Sequence, residues 1–252
     1  MWKSLTIPAL IGATLLTSSF ASAQSVDSMT AQERLSFRAE VRAYLLDNPE
    51  VLMEAIGILE DRQAGAEAVA DLDLVAANAS ALFSSPHAWD GGNLEGDIVL
   101  VEFLDYRCSY CRRAFEDVEQ LIETDGNIRF VIMELPILGE QSVLASRFAL
   151  STRTVAGDDA YKAMHDALMV MRSDVNEASL RRIAETFDLD VEAIVAGMNA
   201  PEITQIIDDN RALAQRLQIS GTPSFVMSDQ MLRGYVPFDG MVQIAAQIRM
   251  TQ

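Results

Sequence analysis

The chain of 252 residues has only two cysteines and two histidines. A closed zinc site usually takes four such ligands. Here Cys108, Cys111, His87 and His165 would all have to converge, although His87 lies in a turn-rich stretch and His165 in a helical one. No metal site is therefore expected, and no organic cofactor motif is present to suggest one. Basic side chains are also scarce, 19 against 37 acidic, for a formal charge of -18. So acidic a chain repels phosphate backbones and anionic lipid, which excludes nucleic acid as an expected partner. Long apolar runs are missing too. The amino-terminal one, from Leu5 to Leu16, is about 12 residues, short of the roughly 20 that span a bilayer. No internal repeat and no low-complexity tract interrupts the chain.

The amino terminus has the pattern of an export signal. Lys3 precedes the apolar run, and the small triplet Ala21-Ser22-Ala23 follows it. This predicts a signal peptide over residues 1–23, cleaved before Gln24, and a mature protein in the periplasm. An exported protein can carry structural disulfides, but its two cysteines are then usually distant in sequence. These two form Cys108-Ser109-Tyr110-Cys111. A bridge across so small a loop constrains the unfolded chain little, so thiol chemistry explains the pair better than stability does.

Thr30-Ala31-Gln32-Glu33 is a capping box that starts a helix, continued by Phe37, Val41, Tyr44 and Leu45. Asn48-Pro49 ends it and opens another, whose stripe of Val51, Leu52, Ala55, Ile56 and Leu59 runs on in alanine-rich sequence to about Leu82. This helical extension, residues 24–83, either packs on its own domain or joins copies of the chain through residues 30–82; periodicity does not name the partner. Residues 84–97, with Pro86, Gly91, Gly92 and Gly96, read as a linker.

Ile98 to Leu104 reads as a strand buried on both faces. The cysteine pair follows, then an amphipathic helix from Arg112 to Glu123, a turn at Asp125-Gly126-Asn127, and a second strand from Ile128 to Met133. Strand, helix, strand implies parallel pairing with a right-handed crossover. Residues 141–217 are helical in pattern, Ser224 to Met227 and Met231 to Tyr235 form a hairpin, and Phe238 to Met250 closes as a helix. The order is that of an α/β thioredoxin fold over residues 98–252 with a helical insertion, preceded by the helical extension.

A cysteine at a strand-to-helix junction has its sulfur near unpaired helix N–H groups and the positive end of the helix dipole. Both favour the thiolate, so Cys108 is the expected nucleophile and Cys111, one turn on, the resolving thiol. Arg107, Arg112 and Arg113 add positive charge nearby. Glu102 interrupts the buried strand six residues before Cys108. A buried carboxylate costs several kcal/mol unless paired or protonated. Glu102 is read either as a proton acceptor for Cys111 or as an edge carboxylate that reaches solvent. Thr222-Pro223 begins a strand, and sequence physics alone gives it the ordinary trans bond.

Taken together, VLVEFLDYRCSYCRRAFEDV, ELPILGEQS and GTPSFV resemble the DsbA-like branch of the thioredoxin superfamily, and AYLLDNPEVLMEAI resembles the helical leader of its Com1-like and ScsC-like members. The resemblance implies a cis Thr222-Pro223 bond beside the cysteines, with Thr222, Pro223 and Tyr110 contacting an extended substrate chain. It also implies that Glu102 occupies the family's buried-acid position. Ser109-Tyr110 stands where the strong oxidase of the family has Pro-His, which moves the expectation toward isomerase and ScsC-like members. The expected function is thiol-disulfide exchange with unfolded or partly folded exported proteins, electrons passing through a membrane redox partner protein. The rival class is a periplasmic holdase or a copper-binding protein using the same cysteines with the chain's methionines.

Overall fold

The computed structural model describes residues 29–251, so the expected signal peptide lies outside the described residues. The chain divides into two units, residues 1–61 and 62–252. In the first, α1 (Ala31–Asp47) begins with the expected capping box. The Thr30 side chain accepts from the Glu33 N–H, and Glu33 accepts from the Thr30 N–H at 2.8 Å. Asn48 caps its end, and α2 (Glu50–Phe83) starts there. Within this unit α1 buries no residue, and Phe37, Val41, Leu45, Leu46 and Leu52 line an open apolar hollow.

The second unit is built on a mixed five-stranded sheet ordered β1-β3-β2-β4-β5. Its strands are β1 (Trp89–Gly92), β2 (Ile98–Leu104), β3 (Ile128–Glu134), β4 (Ser224–Met227) and β5 (Gln230–Arg233). The crossover α3 (Ser109–Asp125) joins the parallel pair β2 and β3. Gly126, at φ 68°, ends α3 in the left-handed conformation that glycine adopts without steric cost. The remaining helices are α4 (Glu140–Ala156), α5 (Asp158–Val170), α6 (Glu177–Thr186), α7 (Val191–Gly197), α8 (Pro201–Arg216) and α9 (Phe238–Thr251).

Alternation along β2 explains the layering. Ile98, Leu100 and Leu104 point into a core shared with α3, α9 and the inserted helices. Val101 and Phe103 point the other way, into a second core with Val75 and Leu82 of α2 and Leu213 of α8. A strand buried on both faces needs apolar residues at both parities, and β2 supplies them everywhere except Glu102.

Residues 89–92, part of the expected linker, form an edge strand antiparallel to β3. The glycines that read as linker punctuation are there for close approach. A side chain at Gly91 would collide with the Trp89 ring, and one at Gly92 would meet the Ile128 carbonyl. Trp89 anchors the strand, edge-on to Phe130 with centroids 6.2 Å apart, its indole N–H donating to the Asp158 carbonyl at 3.2 Å.

Candidate active site

The register of the sheet brings the site together. β4 is antiparallel to β2 with Ser224 opposite Phe103, so Thr222 and Pro223 emerge at the end of the sheet where β2 delivers Cys108. That end is the carboxyl edge of the parallel pair, the usual functional edge of an α/β sheet. The Thr222-Pro223 bond is cis, as the resemblance implied. The Thr222 carbonyl accepts from the Cys108 thiol at 3.0 Å.

Cys108 is the N-cap residue of α3. Its backbone is extended, at φ -74° and ψ 120°, while its sulfur accepts from the Cys111 N–H at 3.5 Å. Both cysteines are free thiols. Hydrogen bonds from the Cys111 thiol and from the backbone N–H groups of Cys111 and Tyr110 stabilise the Cys108 thiolate, and against the opposing effect of burial they bring its pKa down to about 5. Cys111 is wholly buried, and burial, the Cys108 sulfur and Glu102 push its thiol far up. One sulfur is therefore set to ionise and the other to keep its proton.

The three arginines do not supply the effect expected of them. Arg107 pairs with Asp174 at 3.8 Å, the Arg112 Nε donates to the Tyr106 carbonyl at 2.8 Å, and Arg113 stacks over the Tyr235 ring at 4.6 Å. The groups that lower Cys108 come from the first turn of α3 and from the Thr222 side chain instead. Tyr110 is well exposed beside the pair.

Glu102 is 2% exposed, and its Oε1 accepts no hydrogen bond among the described residues. The edge reading is thereby excluded. β2 is central in the sheet, and Glu102 points into the core on the α3 side. Burial, followed by repulsion from Glu119, Cys108 and Glu134, raises its carboxyl to about 8. Such a group holds a proton in neutral solution and exchanges it readily near neutrality.

Sequence reasoning missed two further acids. Asp105 is fully buried just after β2. Its Oδ1 accepts from the Arg107 N–H at 2.7 Å, and its Oδ2 accepts from the N–H groups of Ile137 and Leu138 at 2.8 and 3.0 Å. Its own carbonyl accepts from the Cys108 N–H at 3.0 Å. One side chain thus clamps the cysteine turn to the loop after β3, where the side chains of Ile137 and Leu138 stand exposed. Glu134, at the end of β3, is the second missed acid. The hydroxyls of Tyr106, Tyr161 and Ser146 donate to it at 2.7, 2.8 and 2.7 Å. His165, which the sequence left without a place near the motif, lies 3.1 Å from the Tyr106 hydroxyl through Nδ1, and burial holds it neutral with a pKa of about 3. The signal available was weak: an Asp three residues before the first cysteine and a glutamate closing an apolar strand.

Comparison with known proteins agrees with the fold. The DSBA-like thioredoxin domain matches residues 99–245, and the N-terminal domain of the copper resistance protein ScsC matches residues 33–66. A crystal structure of a thioredoxin-like oxidoreductase from Silicibacter pomeroyi is 43% identical, covering 69% of this chain and 98% of that one with a TM-score of 0.64. ScsC from Proteus mirabilis, in a transitional conformation, is 28% identical over 90% of this chain and 100% of that one, with a TM-score of 0.64. Among curated proteins, a Na(+)/H(+) antiporter NhaA from Salinispora tropica is 30% identical over 147 residues, and the chain spans only 22% of that relative's length.

Proposed function

The chain belongs to the DSBA-like thioredoxin domain family, and on that premise we propose that it is a periplasmic thiol-disulfide oxidoreductase acting on unfolded or partly folded exported proteins. The observation that carries the reading is the Cys108 sulfur at the head of α3, lowered to about 5, with the Thr222 carbonyl 3.0 Å away. In the reducing direction the Cys108 thiolate attacks a substrate disulfide. A Cys108–substrate bond forms and one substrate sulfur leaves as thiolate. Cys111 then loses its proton to Glu102 and attacks the Cys108 sulfur. The Cys108–Cys111 disulfide forms, and the substrate keeps both electrons as its second thiolate. Oxidation of a substrate is the same sequence reversed.

Glu102 suits this step by timing. Repulsion from Cys108 contributes to its raised pKa. That repulsion vanishes while Cys108 is tied in the mixed disulfide, so although burial still holds the carboxyl high, its ionised fraction rises when Cys111 must deprotonate. Thr222, Pro223 and Tyr110 form the contact for an extended substrate backbone, and the Thr222 main chain pairs with it. A membrane redox partner protein recycles the pair. The direction of net flow depends on the reduction potential, for which about 30 mV changes the equilibrium constant tenfold.

Export rests on the amino-terminal pattern. Among the described residues no helix is long and apolar enough to cross a membrane. Self-assembly through residues 30–82 is supported by Leu35, Phe37, Tyr44, Leu46, Met53 and Leu59, large apolar side chains left in solvent. An oligomer kept reduced suits disulfide isomerisation. Reduction of insulin and reactivation of scrambled ribonuclease test the reading. Wild type should be active in at least one assay and Cys108→Ser in neither. A wild type inactive in both, yet binding copper tightly, would replace the enzyme with a metal-binding protein.

A further inference from the structure

The Glu134 cluster is a polar construction in the core that the exchange chemistry above does not use. Glu134, Tyr106, Tyr161, Ser146 and His165 are all at least 98% buried. They come from four places: Glu134 ends β3, Tyr106 lies in the turn before Cys108, Ser146 is on α4, and Tyr161 and His165 are on α5. Both carboxylate oxygens are used, Oε1 by the two tyrosines and Oε2 by the serine. Burying five such groups is costly unless their bonds are made.

Only one member of the cluster belongs to the nucleophile turn. Tyr106 lies two residues before Cys108, and its carbonyl holds the Arg112 guanidinium on the first turns of α3. On either side of it, Asp105 binds the Arg107 N–H and, through its carbonyl, the Cys108 N–H. The turn is thus pinned by Asp105 and by the Tyr106 hydroxyl on Glu134. The Cys108 sulfur must stay aligned with the N–H groups of Tyr110 and Cys111 to keep its thiolate. An angular error of a few tens of degrees weakens such bonds steeply.

We propose that Tyr106 and Glu134 are a positioning pair for the nucleophile: the buried carboxylate anchors the Tyr106 hydroxyl and so holds Cys108 in register with the head of α3. Tyr161 and Ser146 complete the carboxylate's hydrogen bonds from α5 and α4, outside the cysteine turn, although the Tyr161 hydroxyl also meets that of Tyr106. The inference rests on the reading of Cys108 as nucleophile.

Tyr106→Phe and Tyr161→Phe each remove one hydroxyl from the same oxygen of Glu134, so they form a matched pair. The test titrates the Cys108 thiolate by ultraviolet absorbance in the reduced full chain and measures the reduction potential in glutathione buffers. Both variants should lose similar thermal stability. Tyr106→Phe alone should raise the Cys108 midpoint by about one unit, which is tenfold less thiolate at a given acidic pH. Glu134→Gln keeps an acceptor for Tyr106 and should stay near the wild-type midpoint. Equal midpoint shifts in the two phenylalanine variants, or none in either, would show the cluster to be core alone and overturn the proposal. A wild-type thiol titrating near its ordinary value would instead remove the nucleophile reading beneath it.

Discussion

Replacing Glu102 by glutamine keeps the shape of the side chain and removes its titration. In the folded chain the carboxyl ionises at about 8 rather than 4.5. Below about pH 4.5 folded and unfolded chains are both protonated at this position, so the full stabilisation is present. As pH rises toward 8 the unfolded chain releases the proton first, and stability is lost. The displacement corresponds to roughly 5 kcal/mol across that window. Cys108 works in the opposite sense: its pKa falls from 9.0 to about 5 on folding, so the reduced protein gains stability as pH rises through the interval between those values. Glu134, raised to about 7 chiefly by burial, has the same sign as Glu102. These contributions are common to both proteins and largely cancel in the difference. The assay is urea unfolding of reduced wild type and Glu102→Gln at a series of pH values from about 4 to about 9. The variant should gain on wild type steadily above about pH 4.5, by several kcal/mol near pH 8. Parallel curves would mean that Glu102 reaches solvent or a partner, and the proton-transfer role would fail with them.

Cys111→Ser leaves the mixed disulfide unresolved, so covalent adducts through Cys108 should accumulate with a reduced or scrambled substrate on non-reducing gels. Cys108→Ser should give none. Asp105→Ala removes the acceptor from three partly buried N–H groups, at up to roughly 1 kcal/mol each. The unfolding free energy should fall by roughly 2 kcal/mol, and thiol reactivity at Cys108 should fall with it. Phe37→Glu combined with Leu52→Glu puts charge into the apolar hollow of the first unit. If that surface joins copies of the chain, light scattering should show a smaller particle than wild type, with insulin reduction retained.

How much of this was legible in the sequence follows the range of the interactions. The strand, helix, strand unit around the cysteines, the capping box at Thr30 and the break at Asn48-Pro49 are set by neighbours in sequence, and they appear as read. Glu102 was visible because one charge in an apolar run contradicts the run. Glu134 was not, because an acid at the end of a strand looks solvated until Tyr106 and Tyr161, 28 and 27 residues away, close over it. β1 was hidden for a related reason. Its two glycines read as freedom, and only the Trp89 ring and the Ile128 carbonyl reveal that they are there for lack of space. The arginines misled in the other direction. Their position near Cys108 was right, but their contacts are with Asp174, the Tyr106 carbonyl and the Tyr235 ring.

The most direct test of the account is the pH dependence of alkylation of the reduced chain, read residue by residue by mass spectrometry. Cys108 should react alone, with a half-maximal rate near pH 5, while Cys111 stays unmodified into alkaline solution. Half-maximal labelling of Cys108 near its ordinary value of 9.0, or prior labelling of Cys111, would contradict the assignment of nucleophile and resolving thiol.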